Sequence, residues 1–299
     1  MVGELIEFNP HKKHTVWFGF EITLKCNNRC EYCYALDRLD NKTLTNDEVF
    51  YSTIKALNDF VDEYPHFDVT VNLLGGEPLL VKDKCIEFIE SIPSSIKVEI
   101  YANLNYNGKH LKGIEAFDNV KIICSWHESS DPDLVKKNLE MYTGSIEACI
   151  FASDDNWHKT YEYAKWCSEK NILFRVESIR EQPSNKYMFT QWHTDKYKEV
   201  HKLSRAVKKF YSIKDPIDDT DLGLDPDEIR FVPFMYHTLC TINQYNIRYT
   251  GEVISGCEYP YETNIKDGLE IKEVFCKDYM CYCDTGAYKK LRKKNENRN

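Results

Sequence analysis

The stretch that decides the fold is Val16-Trp-Phe-Gly-Phe-Glu-Ile-Thr-Leu24-Lys-Cys26-Asn-Asn-Arg-Cys30-Glu-Tyr-Cys33-Tyr34. Its first half is an apolar, β-rich run that reads as a strand over Val16–Leu24. Its second half is a tight loop with three residues between the first two cysteines and two between the next two. Such a loop can aim three thiolates at three irons of one cubane and leave the fourth iron open. A structural zinc site would want a fourth ligand close by, and residues 15–45 hold no other Cys or His.

Working outward, short β-branched or aromatic runs alternate with helical patterns. Further strands are expected at Asp68–Leu74, Lys97–Ala102, Val120–Trp126, Ile146–Ala152 and Ile172–Ser178. Helices are expected at Thr45–Leu57, Val81–Ile92, Pro132–Tyr142 and Asn156–Lys170, with a weaker segment near Leu111–Phe117. Thr45-Asn46-Asp47-Glu48 has the form of a capping box. The alternation argues for parallel strands with helical crossovers, either a partial barrel or an open doubly wound sheet. Functional groups then belong at the strands' C-terminal ends. The strands read as mostly apolar, as expected when both faces are covered.

The pattern changes after Ser178. Lys196–Tyr211 reads as a long polar helix and Asp215–Asp227 as an acidic loop. Tyr245–Gly256 reads as a β-hairpin turning at Thr250-Gly251. Five cysteines fall in this last part: Cys240, Cys257, Cys276, Cys281 and Cys283. The hairpin brings Cys240 and Cys257 side by side, and the others supply ligands for one four-cysteine site with one left over. Zinc would suit such a site as well as a cluster does. Cys85, Cys124, Cys149 and Cys167 stand singly in apolar segments and read as buried small hydrophobes.

Composition narrows the function classes. The chain has 299 residues, 42% hydrophobic and 29% charged, with a net charge of −9. An acidic chain has no global attraction for phosphate backbones, so nucleic acid is disfavoured as the main partner. No secretory signal and no membrane-spanning run is seen, which points to the cytoplasm. Twelve cysteines in that setting point to metal or cluster binding before disulfides. The first strand begins near residue 16, which leaves no room ahead of it for a separate peptide-recognition domain and weighs against a leader-peptide substrate.

Cys26, Cys30 and Cys33, with Tyr32 before the third cysteine and Tyr34 after it, resemble the signature of the radical S-adenosylmethionine (radical SAM) superfamily. The likeness is closest to the branch with a C-terminal SPASM or Twitch region. Leu74-Gly75-Gly76-Glu77-Pro78 at the end of the second strand is similar to the family's GGEP motif. The resemblance implies a partial (β/α)6 TIM-like barrel over residues 1–195, a connecting helix and loop over 196–234 and a small C-terminal iron–sulfur lobe over 235–299. It implies a [4Fe–4S] cluster on Cys26, Cys30 and Cys33 that binds SAM, with cofactor contacts from Tyr32, Gly75, Gly76, Glu77, Asn103, Ser125 and Arg175. It also implies an auxiliary [4Fe–4S] cluster on Cys240, Cys257, Cys276 and Cys283, with Cys281 as the alternative fourth ligand. The spacing from the hairpin glycine to Cys257 is one residue longer than the common pattern, and five cysteines favour one auxiliary cluster over two. The expected activity is hydrogen-atom abstraction from a peptide or small molecule, with a flavodoxin or ferredoxin as reductant. Modification of a nucleotide or nucleobase is the second enzymatic reading, and a non-catalytic iron–sulfur or zinc protein is the reading from another class.

Overall fold

The computed structural model describes residues 14–152 apart from 34 and 41, then 156–178, residues 200, 202–204 and 207, and residues 239–241, 244–255, 263–271 and 273–275. Six parallel strands come first: β1 (His14–Thr23), β2 (Phe67–Gly75), β3 (Lys97–Ala102), β4 (Val120–Trp126), β5 (Ser145–Ala152) and β6 (Phe174–Ser178). Four helices alternate with them: α1 (Asp47–Glu63), α2 (Lys82–Ser91), α3 (Pro132–Met141) and α4 (Trp157–Glu169). The later strands are β7 (Leu239–Thr241), β8 (Gln244–Ile247), β9 (Glu252–Ser255), β10 (Thr263–Asn264) and β11 (Glu273–Phe275).

The pairing register puts Phe18, Val71, Val98 and Val120 in one row across the sheet. That row and its neighbours two residues along face the helices. Phe18 meets Phe60 of α1, Phe20 meets Phe50 of α1 and Phe88 of α2, and Trp126 stacks on Tyr163 of α4 at 4.2 Å. Val135 and Leu139 of α3 join the same core. The helices therefore cover one face, as in a barrel wall, and not both, as in a doubly wound sheet.

The opposite face corrects the expectation of two apolar faces. It carries Glu21, Asn72, Glu99, Tyr101, Lys121, Ser125, Glu147 and Arg175 at the alternate positions of the same strands. The strands do alternate, with a dry convex side and a polar concave side. Two other readings are adjusted. The N-cap of α1 is Asn46, whose Oδ1 accepts from Val49 N at 2.9 Å, while Thr45 Oγ1 turns inward and donates to Glu21 O at 2.7 Å. The described residues of the expected polar helix are helical, and Val200 and Val207 are buried in the main core, so it has a packed apolar side.

The hairpin turns at Gly251 (φ +89°) as expected, and it continues the main sheet: β8 lies parallel to β1, and β9 and β10 follow it antiparallel. No described helix is long and apolar enough to cross a membrane. Phe20, fully buried between α1 and α2, is a keystone of the convex core. Phe20→Ala is expected to cost about 3–5 kcal/mol, read as a fall in the urea midpoint at unchanged slope.

Candidate cluster and cofactor site

The cysteine loop leaves the C-terminal end of β1, where the main chain is held from both sides. Gly76 N donates to Thr23 O at 2.7 Å, and Glu77 N donates to Lys25 O at 2.6 Å. This approach explains the glycine pair. Gly75 has φ +123°, and a Cβ there would stand 2.0 Å from Thr23 O; a Cβ on Gly76 would stand 2.0 Å from Lys25 O. The glycines were expected to admit a ligand. Their first task in the structure is to admit the backbone that carries the cysteines.

Glu77 is fully buried. Its Oε2 accepts from Asn103 N at 2.6 Å and its Oε1 from Leu79 N at 3.3 Å, so it joins the ends of β2 and β3. The Tyr106 hydroxyl faces the same carboxyl without a fully formed hydrogen bond. Burial pushes the Glu77 carboxyl up to about 8.

Carboxamides bind the loop to the neighbouring strand ends. Asn103 Nδ2 donates to Asn27 Oδ1 at 2.8 Å, and Asn27 Nδ2 donates to Asn105 O at 2.7 Å. Asn105 Nδ2 donates to Asn28 Oδ1 at 2.9 Å, and Asn28 Nδ2 donates to Ser130 Oγ at 3.2 Å. Asn138 of α3 steadies the segment from behind by donating to Leu104 O and Tyr106 O. The two residues after Cys26 are thus the loop's fasteners, a role that reading the motif as cysteines and an aromatic had left out.

All three cysteines are free thiols; Cys30 is buried, and Cys26 and Cys33 are half-buried. Cys33 N donates to Cys30 O at 3.0 Å, and Cys30 Sγ lies 3.5 Å from Ser129 Oγ. Burial pushes the Cys26 thiol up to about 11 and raises Cys30, with the neighbouring sulfurs adding to the effect. Three thiolates so placed need a cation among them, and a cluster's irons are such a cation. Among the described residues, no group of three or more His, Cys, Asp or Glu side chains is gathered for a single metal ion.

Tyr32 reaches across the mouth to His127, with Oη 2.9 Å from Nδ1, and His127 stacks on Phe151 at 5.0 Å and 7°. Burial holds His127 down to about 4, so its ring is neutral at pH 7. Ser125 stands half-buried on the concave face opposite Cys149. Arg175 is on that face too, but its guanidinium already meets Glu147 at 2.8 Å and Glu177 at 2.7 Å. Lys121 also pairs with Glu147. Burial works against the ionised Glu147, and Arg175 and Lys121 outweigh it, holding the carboxyl below its usual range. Cys85, Cys124, Cys149 and Cys167 are buried, as expected. Of the second group, Cys240 lies on β7, paired with Val274 of β11; Cys257, Cys276, Cys281 and Cys283 lie outside the described residues.

Residues 15–141 match a family model described as a 4Fe-4S single cluster domain. No curated protein matches the sequence. Among solved structures, native anSMEcpe with bound AdoMet and the Kp18Cys peptide aligns over 85% of this chain and 78% of its own, at 15% identity and a TM-score of 0.57. Hexahistidine-tagged anSMEcpe with bound AdoMet aligns over 85% and 75%, at 14% identity and 0.56. Streptococcus suis SuiB aligns over 85% and 64%, at 14% identity and 0.53. The partial-barrel fold expected from the sequence is shared with these structures, and the cluster-domain model covers the stretch that holds Cys26, Cys30 and Cys33.

Two outcomes follow from the geometry. Gly76→Ala is expected to lower iron retained after anaerobic reconstitution by roughly tenfold while far-UV circular dichroism stays native, because the added methyl forces the cysteine loop off the end of β2. Glu77 has a folded value above its unfolded one, so its contribution to stability is complete below about 4.5 and is lost as pH rises through about 8. Urea unfolding from pH 4 to 9 is expected to show that decline in the native chain and a flatter profile in Glu77→Gln.

Proposed function

We propose that this chain is a radical SAM enzyme in which Cys26, Cys30 and Cys33 hold a [4Fe–4S] cluster with one iron left for SAM. The observation that carries this reading is the loop itself: three free thiols at the C-terminal end of a parallel sheet, with their connecting residues fastened by Asn27, Asn28, Asn103 and Asn105. Bound there, a cluster and SAM would supply the radical chemistry that takes a hydrogen atom from substrate.

The chain's own residues hold and enclose that chemistry. Gly75 and Gly76 let the cysteine loop dock, and Glu77 and Asn103 fix the two strand ends beside it. Tyr32 and Ser125 are assigned to cofactor contacts, Tyr32 beside the third cysteine and Ser125 on the concave face of β4. Arg175 acts on the cofactor through its charge only if Glu147 or Glu177 releases it. His127, neutral and stacked, keeps that wall free of net charge.

Cys240, Cys257, Cys276 and Cys283, or Cys281 in place of Cys283, are assigned to an auxiliary [4Fe–4S] cluster. We assign the substrate to peptides or small polar molecules. The fold shared with anSMEcpe, whose structure holds a peptide, and the polar concave face both support that class. A flavodoxin or ferredoxin would deliver the electron.

Anaerobic incubation of the reconstituted protein with SAM and dithionite is expected to release 5′-deoxyadenosine. Cys30→Ala is expected to reduce the release at least about a hundredfold, because one of three cluster ligands is gone. Zinc in place of iron at these cysteines, or no 5′-deoxyadenosine from the native chain, would overturn the reading.

A further inference from the structure

The arginines around the cysteine loop and the concave face are not equivalent. Four are described. Arg29 donates to the carbonyls of Cys26 and Asn28 and so belongs to the cysteine loop. Arg175 is wedged between Glu147 and Glu177. Arg38, just after the loop, forks Glu21 through three contacts of 2.9–3.0 Å. Arg248 is the fourth, and it reaches the same carboxylate by a single longer contact, Nη1 to Oε1 at 3.3 Å.

Arg248 is held where a ligand would need it. It follows β8, whose Ile247 pairs with Phe20, so it stands beside Glu21 at the C-terminal end of the parallel strands. Its main chain is locked by Arg248 N donating to Glu252 O at 2.8 Å and by Gly251 N donating to Arg248 O at 2.9 Å. The turn rests on Val49 of α1, which a Cβ on Gly251 would approach to 3.0 Å. The Glu21 side chain is only 6% exposed, whereas that of Arg248 is 30% exposed. A guanidinium has five N–H donors, and the described residues engage one of them. Glu21, already forked by Arg38, has little capacity left to neutralise a second cation.

We infer that Arg248 is a substrate-positioning residue that binds a carboxylate at the β1–β8 side of the site. The inference rests on the radical SAM reading and names a feature of its substrate: a carboxylate, such as a peptide terminus or an acidic side chain. A planar fork suits a carboxylate through two parallel hydrogen bonds. SAM carries a carboxylate as well, and the test separates the two sources.

The probes are N-acetylglycinate and its uncharged twin, N-acetylglycinamide. Saturation-transfer NMR measures their binding to the cluster-loaded protein with SAM present. The acid is expected to bind at least about tenfold more tightly than the amide. Arg248→Gln is expected to bring the acid to the level of the amide, and Arg248→Lys to restore part of the difference, since it keeps the charge and loses the fork. Equal binding of acid and amide by the native chain, or unchanged acid binding in Arg248→Gln, would overturn the inference. A matching loss of SAM affinity in Arg248→Gln would overturn it too, because the arginine would then serve the cofactor's carboxylate. Release of 5′-deoxyadenosine is read separately. A chain that releases it without telling acid from amide refutes only the carboxylate site, and a chain that never releases it refutes the enzymatic reading.

Discussion

The site depends on one close contact between two main chains. Residues 75–77 lie against residues 23–25 so tightly that a single methyl on either glycine would overlap a carbonyl oxygen. The contact joins the end of β2 to the root of the cysteine loop through two short N–H···O bonds. It sets the root of the loop beside the Glu77 carboxyl that ties the ends of β2 and β3 together. The asparagines continue the same logic: each spans a gap between strand ends that no backbone pairing closes. Three thiols are thereby held by the sheet and not by a flexible loop.

Burial sets the electrical character of the mouth. Glu77 and His127 are driven toward their neutral forms from opposite sides of the pH scale. Two clusters of charge stand out: Glu147 with Lys121 and Arg175, and Glu21 with Arg38 and, by one longer contact, Arg248. The first set gathers on β4–β6 and the second at β1 and β8, with Gly75–Glu77 at the end of β2 between them.

Much of this was legible in the sequence. All six parallel strands and four helices were recognisable from alternating runs, because apolar residues on the convex side make each strand stand out from its helix. The cysteine spacing and Gly75-Gly76 marked the site. The partners of these residues were not legible. Nothing local distinguishes Asn27 or Asn105 from an ordinary loop asparagine, since the first reaches a strand end 76 residues away. Thr45 and Asn46 are both good N-caps, and only the buried Glu21 carbonyl decides between them by taking the threonine hydroxyl. Glu21 and Arg248 are 227 positions apart and meet because β8 pairs with β1, a closure that hairpin chemistry alone does not predict.

That closure bears on why the polar side of the sheet is where it is. A parallel sheet with helices on one face must either cover the other face or use it. Here β8 to β10 extend the sheet beyond β1 and leave the concave face with a row of Asn246, Gly19, Asn72, Glu99 and Lys121 across β8, β1, β2, β3 and β4. A row of that composition cannot serve as a dry core, because each group would need a partner at burial. Asn72 shows the tension directly: its Oδ1 is buried and has no partner among the described residues. A face built in this way is suited to a polar molecule whose own donors and acceptors complete it.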